Sequence, residues 1–393
     1  MPIIETDVLV IGGGLIGTSV AYYLSKHGAD VVLLESNDLA SGTSSACEGG
    51  VSLHSKRSGI LLKLTRLSID LYRDLSAELG YDIEYEQDGG MVLVENEEQW
   101  SFMEEFVDIQ QKAGVKVQLV DASEVTRIQP NLSKWIVGAA IYPEDGMVNP
   151  LCLTFGFARA AKRKKAKVFL NTRVEGIERA SSKMHSVQTN RGKIKSKFVV
   201  NAAGVNAPQI GKMVGVEIPI TPLKGQLVVT ESIPRPFTTS SVVDSDYLLT
   251  KFAHVSQPQK TKDKLPVSFT AFQMRNGNFI FGSTKESLGY NRQTTAEGIT
   301  AIVQGAVKFL PGLSNIHLIR TFAGLRPQTP DGLPILGEAE ETEGFILAAG
   351  HGGDGVALTP ITGKLIAELI IEGRPSVDIS ELRLSRFAHR KEN

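Results

Sequence analysis

Several things are scarce in this chain, and each shortage excludes a class of protein. Cysteine occurs only at Cys47 and Cys152 in 393 residues. Two distant cysteines build no disulfide framework and match no metal-ligand spacing. No apolar run approaches the roughly 20 residues that a membrane helix needs. Charge is nearly balanced, with 42 Lys and Arg against 43 Asp and Glu and a net charge of −1. No global field therefore steers the chain to nucleic acid or to an anionic membrane. No basic leader or cleavage signal precedes the first apolar run, so a cytoplasmic protein is expected. The densest basic run, Lys162 to Lys167, follows a helical stretch and reads as a solvated helix end favoured by the dipole. No internal repeat is visible.

Glycine, by contrast, is plentiful, at 38 residues, and its placement is informative. Asp7 to Ile11 is a branched apolar run. Gly12-Gly13-Gly14-Leu15-Ile16-Gly17 follows at once, then a helical pattern closed by Gly28, then Val31 to Leu34 and Glu35. Strand, glycine turn, helix, strand and acid make a dinucleotide-binding βαβ unit. Gly12 lets the chain turn out of the strand, Gly14 admits a pyrophosphate to the backbone, and Gly17 lets the helix pack close. The helix N-terminus offers free N–H groups to the phosphates. Glu35, 18 residues after Gly17, is placed for ribose hydroxyls, with Ser36 beside it. This motif alone does not separate NAD from FAD.

Further along, the chain alternates in character. Strands are expected at 91–94, 115–120, 168–171 and 198–204, with helices at 97–114 and 150–165. Residues 216–319 look mainly antiparallel, with strands at 226–229, 247–250, 267–274 and 278–282. Asn276-Gly277 between the last two is a hairpin turn signal. Ser256 to Lys264 reads as a polar, mobile loop. The tail returns to strand 345–348, a glycine-rich turn and helix 358–371, with Gly373 as its C-cap. The fold class expected is α/β plus α+β. A Rossmann-like domain is assembled from residues 1–80, 145–215 and 320–393. A mainly antiparallel substrate-binding domain, from 81–144 and 216–319, is inserted in it.

These residues resemble the FAD-dependent amino-acid oxidase and dehydrogenase family. The resemblance covers essentially the whole chain in order. After the βαβ unit come Ser41-Gly42-Thr43-Ser44-Ser45, similar to the family's flavin-phosphate loop, and Asp145 to Pro150, similar to its re-entry segment. Asn201-Ala202-Ala203-Gly204 resembles its strand beside the adenosine, and Pro222 to Gln226 its strand near the flavin ring. Gly324-Leu325-Arg326-Pro327-Gln328 through Ile335 and Gly350-His351-Gly352-Gly353-Asp354-Gly355 are the most specific. The run Ser44 to Val51 and the Gly353-Asp354-Gly355 turn most resemble the proline and hydroxyproline dehydrogenases and hydrogen cyanide synthase subunits, with glycine oxidase next.

The resemblance implies FAD as cofactor. It also implies oxidation of a small amino acid of the proline, hydroxyproline, glycine or sarcosine kind. A hydride would pass from Cα to flavin N5, giving an imine that can hydrolyse to a 2-oxo acid. It implies cofactor contacts at Gly12, Gly14, Leu15, Ile16, Gly17, Glu35, Ser36, Ser41, Gly42, Thr43, Ser44, Gly49, Gly50, Val51, Val174, Ala202, Ala203, Gly204, Gly324, Gly350, His351, Gly352, Gly353, Asp354, Gly355 and Val356. Arg326 is implied as the clamp on the substrate carboxylate, a task suited to a planar guanidinium. His351 is a candidate acid–base group, though a backbone spacer in the glycine turn fits it better. Gln273, Met274 and Tyr247 are candidates for lining the substrate pocket. Residues 320–329 contain no cysteine, so a flavin tether there is absent. Cys47 and His54 lie near the flavin by resemblance, and non-covalent FAD is expected. No residue stands out as the base for the substrate amine. The partners expected are the amino acid and an electron-accepting subunit or second copy of the chain. The rivals are an NAD-dependent dehydrogenase, a flavin monooxygenase, and a non-catalytic FAD relay subunit. A second GxGxxG, which a nicotinamide site would need, is missing, and a relay needs no carboxylate clamp.

Overall fold

The computed structural model describes residues 4–181, 184–252 and 265–392. Two eight-stranded sheets organise them. In the first, the strand Ile4–Ile11 is central, with Val31–Leu34 on one side and Gly192–Asn201 on the other, all parallel. Lys167–Phe169 extends the sheet beyond Val31–Leu34, and Phe345–Ala349 extends it beyond Gly192–Asn201. The antiparallel Ile335–Glu338 closes that edge. The strands Val31–Leu34 and Phe345–Ala349 are wholly buried, as a parallel sheet covered on both faces requires.

The helices Leu15–Lys26 and Gly355–Glu372 cross closely against this sheet. Ser19 donates its hydroxyl to the Thr359 carbonyl at 3.0 Å. Gly363 makes the crossing feasible, because a Cβ there would fall onto the Ser19 side chain. Gly373 ends the second helix with φ 75°, as a left-handed C-cap.

The second sheet runs Leu318–Gln328, Thr221–Ser232, Asn278–Thr284, Val267–Gln273, Ser241–Asp244, Gly90–Val94, Gly138–Tyr142 and Gln118–Asp121. Its pairings are antiparallel except that between Ser241–Asp244 and Gly90–Val94. The helix Ala296–Phe309 packs on it, with Phe309 stacked on Phe269 at 4.5 Å. Strand Leu318–Gln328 lies wholly in this sheet, so the boundary expected at 320 falls inside it. The Asn276-Gly277 turn forms as expected, with Gly277 at φ 88°.

One expectation is corrected. Residues 247–250, read as a strand, belong to the helix Asp246–Phe252. The Asp244 carboxylate accepts from Tyr247 N at 3.1 Å, closing the first turn, and Leu248 is buried in the core. Local capping outweighs the strand preference of Tyr-Leu-Leu-Thr. The loop expected at 256–264 lies outside the described residues.

Candidate active site

A cavity of about 580 Å³ runs between the two sheets, from the first glycine turn to the strand carrying Arg326. That volume is in the range of small-molecule and cofactor sites. One end is built by the first βαβ unit. Gly12 turns the chain at φ 117°. Gly17 packs directly on the Gly12 carbonyl, leaving no room for a Cβ. Gly14 faces Ser44, whose hydroxyl accepts from Leu15 N at 3.0 Å. Glu35 takes Gly13 N at 2.7 Å and Asn37 N at 2.8 Å, which fixes its carboxylate at the rim.

The middle of the cavity is closed by the loop at 41–48. Thr43 donates to the Leu325 carbonyl at 2.6 Å, which ties this loop to the strand bearing Arg326. Gly324 lies against Ala46, and a Cβ there would collide with the Ala46 carbonyl. On the opposite wall, the turn 350–355 leads into the N-terminus of the 18-residue helix Gly355–Glu372. Free N–H groups and the positive dipole end lie there.

Of the residues expected at the cofactor, Gly12, Gly14, Leu15, Ile16, Glu35, Ser36, Ser41 to Ser44, Val174, Ala202 to Gly204, Gly324, Gly350 to Gly353, Gly355 and Val356 all line this cavity. Gly17 stands behind the turn. Gly49, Gly50 and Val51 are set back, and Gly50–Val51 forms a short ribbon with Gly146–Met147. Asp354 is also set back. Its carboxylate receives Lys56 Nζ at 2.9 Å and Lys251 Nζ at 3.4 Å. Burial alone would raise its pKa, but Lys251 and Lys56 hold the carboxyl well below the usual carboxylate range. Burial lowers the Lys56 pKa despite that pair.

His351 lines the cavity but its ring turns to Thr362, with Nε2 3.1 Å from the hydroxyl oxygen. Burial pushes its pKa down to about 4, so it is uncharged at neutral pH. Arg326 lines the cavity too. It donates to Ser283 Oγ at 2.7 Å and to the Thr284 carbonyl at 3.3 Å. Gly225 on the paired strand leaves room for its guanidinium. Among the described residues, no carboxylate lies within ion-pair distance of Arg326.

Tyr247 lies near Arg326 but not on the cavity wall. Lys285 Nζ stands 4.7 Å above its ring and Lys251 Nζ 5.8 Å from it. Burial, with the nearby Arg326 charge, pushes the Lys285 pKa down to about 8. Gln273 and Met274 are not brought to the cavity. Gln273 is buried and holds the segment 233–238, accepting from Phe237 N at 2.8 Å and donating to the Ile233 carbonyl at 3.2 Å. Met274 shapes the hairpin turn through its N–H to the Asn278 carbonyl at 2.8 Å. His54 is also elsewhere, buried with Nδ1 2.6 Å from Asp145.

The sequence reading missed Glu48, Arg173, Tyr290 and Arg292, all on the cavity wall. Tyr290 and Arg292 come from an irregular loop with no periodicity to reveal them. Glu48 carried a signal: it is the one acid in the small-residue run Ser44 to Val51. Cys47 lines the cavity beside it, and burial, then Glu48, push the thiol up to about 12.

A glycine cradle for a pyrophosphate, an acid at the ribose position and a helix N-terminus at the far end fit FAD. Comparison with known proteins agrees. Residues 7–369 match the FAD dependent oxidoreductase family, and the chain belongs to it. It is an FAD-dependent oxidoreductase. The hydrogen cyanide synthase subunit HcnC of Pseudomonas aeruginosa is 28% identical, over 97% of this chain and 96% of that protein. The structure of glycine oxidase from Geobacillus kaustophilus superposes with a TM-score of 0.88 at 28% identity, over 98% of this chain and 99% of that one. L-proline dehydrogenase from P. horikoshii gives 0.87 at 29% identity, over 99% of each chain. Among the described residues no helix is long and apolar enough to cross a membrane, and no group of side chains could hold a metal ion.

Proposed function

We propose that this protein oxidises the C–N bond of a small amino acid, of the proline, hydroxyproline, glycine or sarcosine kind. Arg326 holds the substrate carboxylate. The observation that carries this reading is the guanidinium itself. It is oriented by a hydroxyl and a carbonyl, faces a cavity, and has no anionic partner among the described residues. A part-buried cation left in that state is a receptor for an anion. The names of the related proteins, glycine oxidase and L-proline dehydrogenase, support an amino acid as the source of that anion.

Bound FAD supplies the two-electron acceptor. The chain contributes position and charge. The turn 350–355 aims backbone donors at the reacting end of the cavity, where negative charge accumulates on reduction. His351, neutral and engaged with Thr362, sets the path of this turn and takes no proton from substrate. The Cys47 thiol stays protonated, which supports non-covalent FAD.

The test is the visible spectrum of the purified protein under anaerobic conditions, before and after single additions of D- and L-proline, hydroxyprolines, glycine, sarcosine and D-alanine. Bleaching by one of them is expected. Arg326→Ala should keep its flavin yet lose about 30-fold to several-thousand-fold in kcat/KM, the roughly 2–5 kcal/mol of a broken buried charge pair. Unchanged kcat/KM would remove Arg326 from the site. A second reading sends the electrons to a partner subunit, and HcnC, named as a subunit, favours it. Slow recolouring in air with fast dye reduction would support that reading.

A further inference from the structure

The amine end of the substrate needs a receptor as much as the carboxylate does, and the cavity offers one. Glu48 lines the same cavity as Arg326. Its Oε1 accepts from the Thr270 hydroxyl at 3.3 Å. Among the described residues, no cation lies within ion-pair distance of it. Gly282 makes room for it, since a Cβ there would lie 2.7 Å from Oε1. The neighbouring residues Ser283 and Thr284 hold Arg326. Three consecutive residues of one strand thus support a carboxylate and a guanidinium, neither neutralising the other. Cys47 beside them is held protonated, and Lys285 and Tyr247 lie near Arg326. A half-buried anion and a part-buried cation facing one cavity form the complement of a zwitterion.

We propose that Glu48 receives the substrate's amino group, holding the ammonium and accepting one of its protons to leave the neutral amine. This rests on the amino-acid reading above. In the step, an N–H bond breaks and a carboxyl O–H bond forms, with the nitrogen keeping the electron pair. Substrate filling the cavity displaces water from around the ion pair, which favours the neutral pair over the charged one. The same contact selects against simple carboxylates, which would leave Glu48 facing an apolar group.

The experiment uses FAD-loaded protein and follows ligand binding by flavin difference absorbance and by melting temperature. The ligands are glycine and L-proline against acetate and cyclopentanecarboxylate. Glu48→Gln should weaken the two amino acids by about 30-fold or more while leaving or tightening the two carboxylates. Arg326→Ala should weaken all four. Equal effects of Glu48→Gln on both ligand classes, no effect, or failure of the wild type to bind either amino acid would overturn the proposal. Should Glu48→Gln lose its flavin, Thr270→Val removes only the hydroxyl that aims Glu48. It should weaken the amino acids several-fold and spare the carboxylates, and uniform weakening would count against the proposal. Amino acids that bind the wild type in this pattern without bleaching it would sink the oxidation reading and leave the Glu48 assignment standing.

Discussion

Acid should loosen this protein through His351. The ring is 4% exposed and its pKa falls from 6.5 to about 4, chiefly from burial, with the Asp354 carboxylate pulling weakly the other way. A tenfold loss of proton affinity is worth about 1.4 kcal/mol, so protonating the buried ring costs the folded state about 3 kcal/mol. Between about pH 6.5 and 4 the unfolded chain binds the proton and the folded chain does not. Stability therefore falls as pH drops through that window, and the loss is complete below about pH 4. Other groups titrate there too, so the comparison is with His351→Gln, which cannot take a proton but can still reach Thr362. Urea unfolding of both proteins at pH 7 and pH 4 isolates the ring. The wild type should lose about 3 kcal/mol more than the variant over that span. Because the ring anchors a turn on the cavity wall, flavin release, read by fluorescence, should follow the same window. Parallel pH curves for the two proteins would refute the reasoning.

Three further outcomes are expected. Gly17→Ala pushes the first helix off the Gly12 carbonyl; it should cost about 1–3 kcal/mol and lower the FAD content at purification, and a variant with unchanged FAD affinity would contradict the packing argument. Lys56→Met leaves Asp354 with Lys251 alone, which should cost about 3–5 kcal/mol in urea unfolding, whereas Lys56→Met with Asp354→Asn should recover most of it. The Lys285 pKa of about 8 lies below its unfolded value, so the wild type should gain thermal stability relative to Lys285→Met as pH rises from 8 to 10.5.

How much of this was legible depended on whether the signal was local. The first βαβ unit was, because glycine spacing and strand period sit in one contiguous stretch and each glycine answers to one close contact. Arg326 and the turn 350–355 needed the resemblance, since nothing local joins two segments whose meeting is fixed by the Leu318–Gln328 and Phe345–Ala349 strands in different sheets. Gln273 misled for a physical reason: a polar residue at a strand end can serve a pocket or satisfy buried backbone, and here the segment 233–238 claims it. Residues 247–250 misled because a single carboxylate, Asp244, supplies the turn-closing acceptor from outside the segment. Glu48 was passed over because what singles it out, facing the cavity with no cationic partner among the described residues, is a property of the fold.

The two ends of the cavity meet charge in different ways. At the first glycine turn the walls are largely backbone, and the fixed charges are Glu35 at the rim and Arg173. There, aligned N–H groups do the binding, which suits a pyrophosphate whose charge never changes. At the other end Lys56, Lys251, Lys285 and Arg326 stand among the carboxylates Asp145, Asp244, Asp246, Asp354 and Glu48. Arg326 alone of these cations lines the cavity, held by Ser283 and Thr284 with no carboxylate within ion-pair distance among the described residues, and a cation in that state is costly to bury. It is explained if this end must accept negative charge twice, once from a substrate carboxylate and once from the reduced cofactor. A relay subunit would need only the second. Under the proposed function, the guanidinium of Arg326, without an anionic partner among the described residues, is what separates an enzyme that captures an amino acid from a protein that only stores electrons.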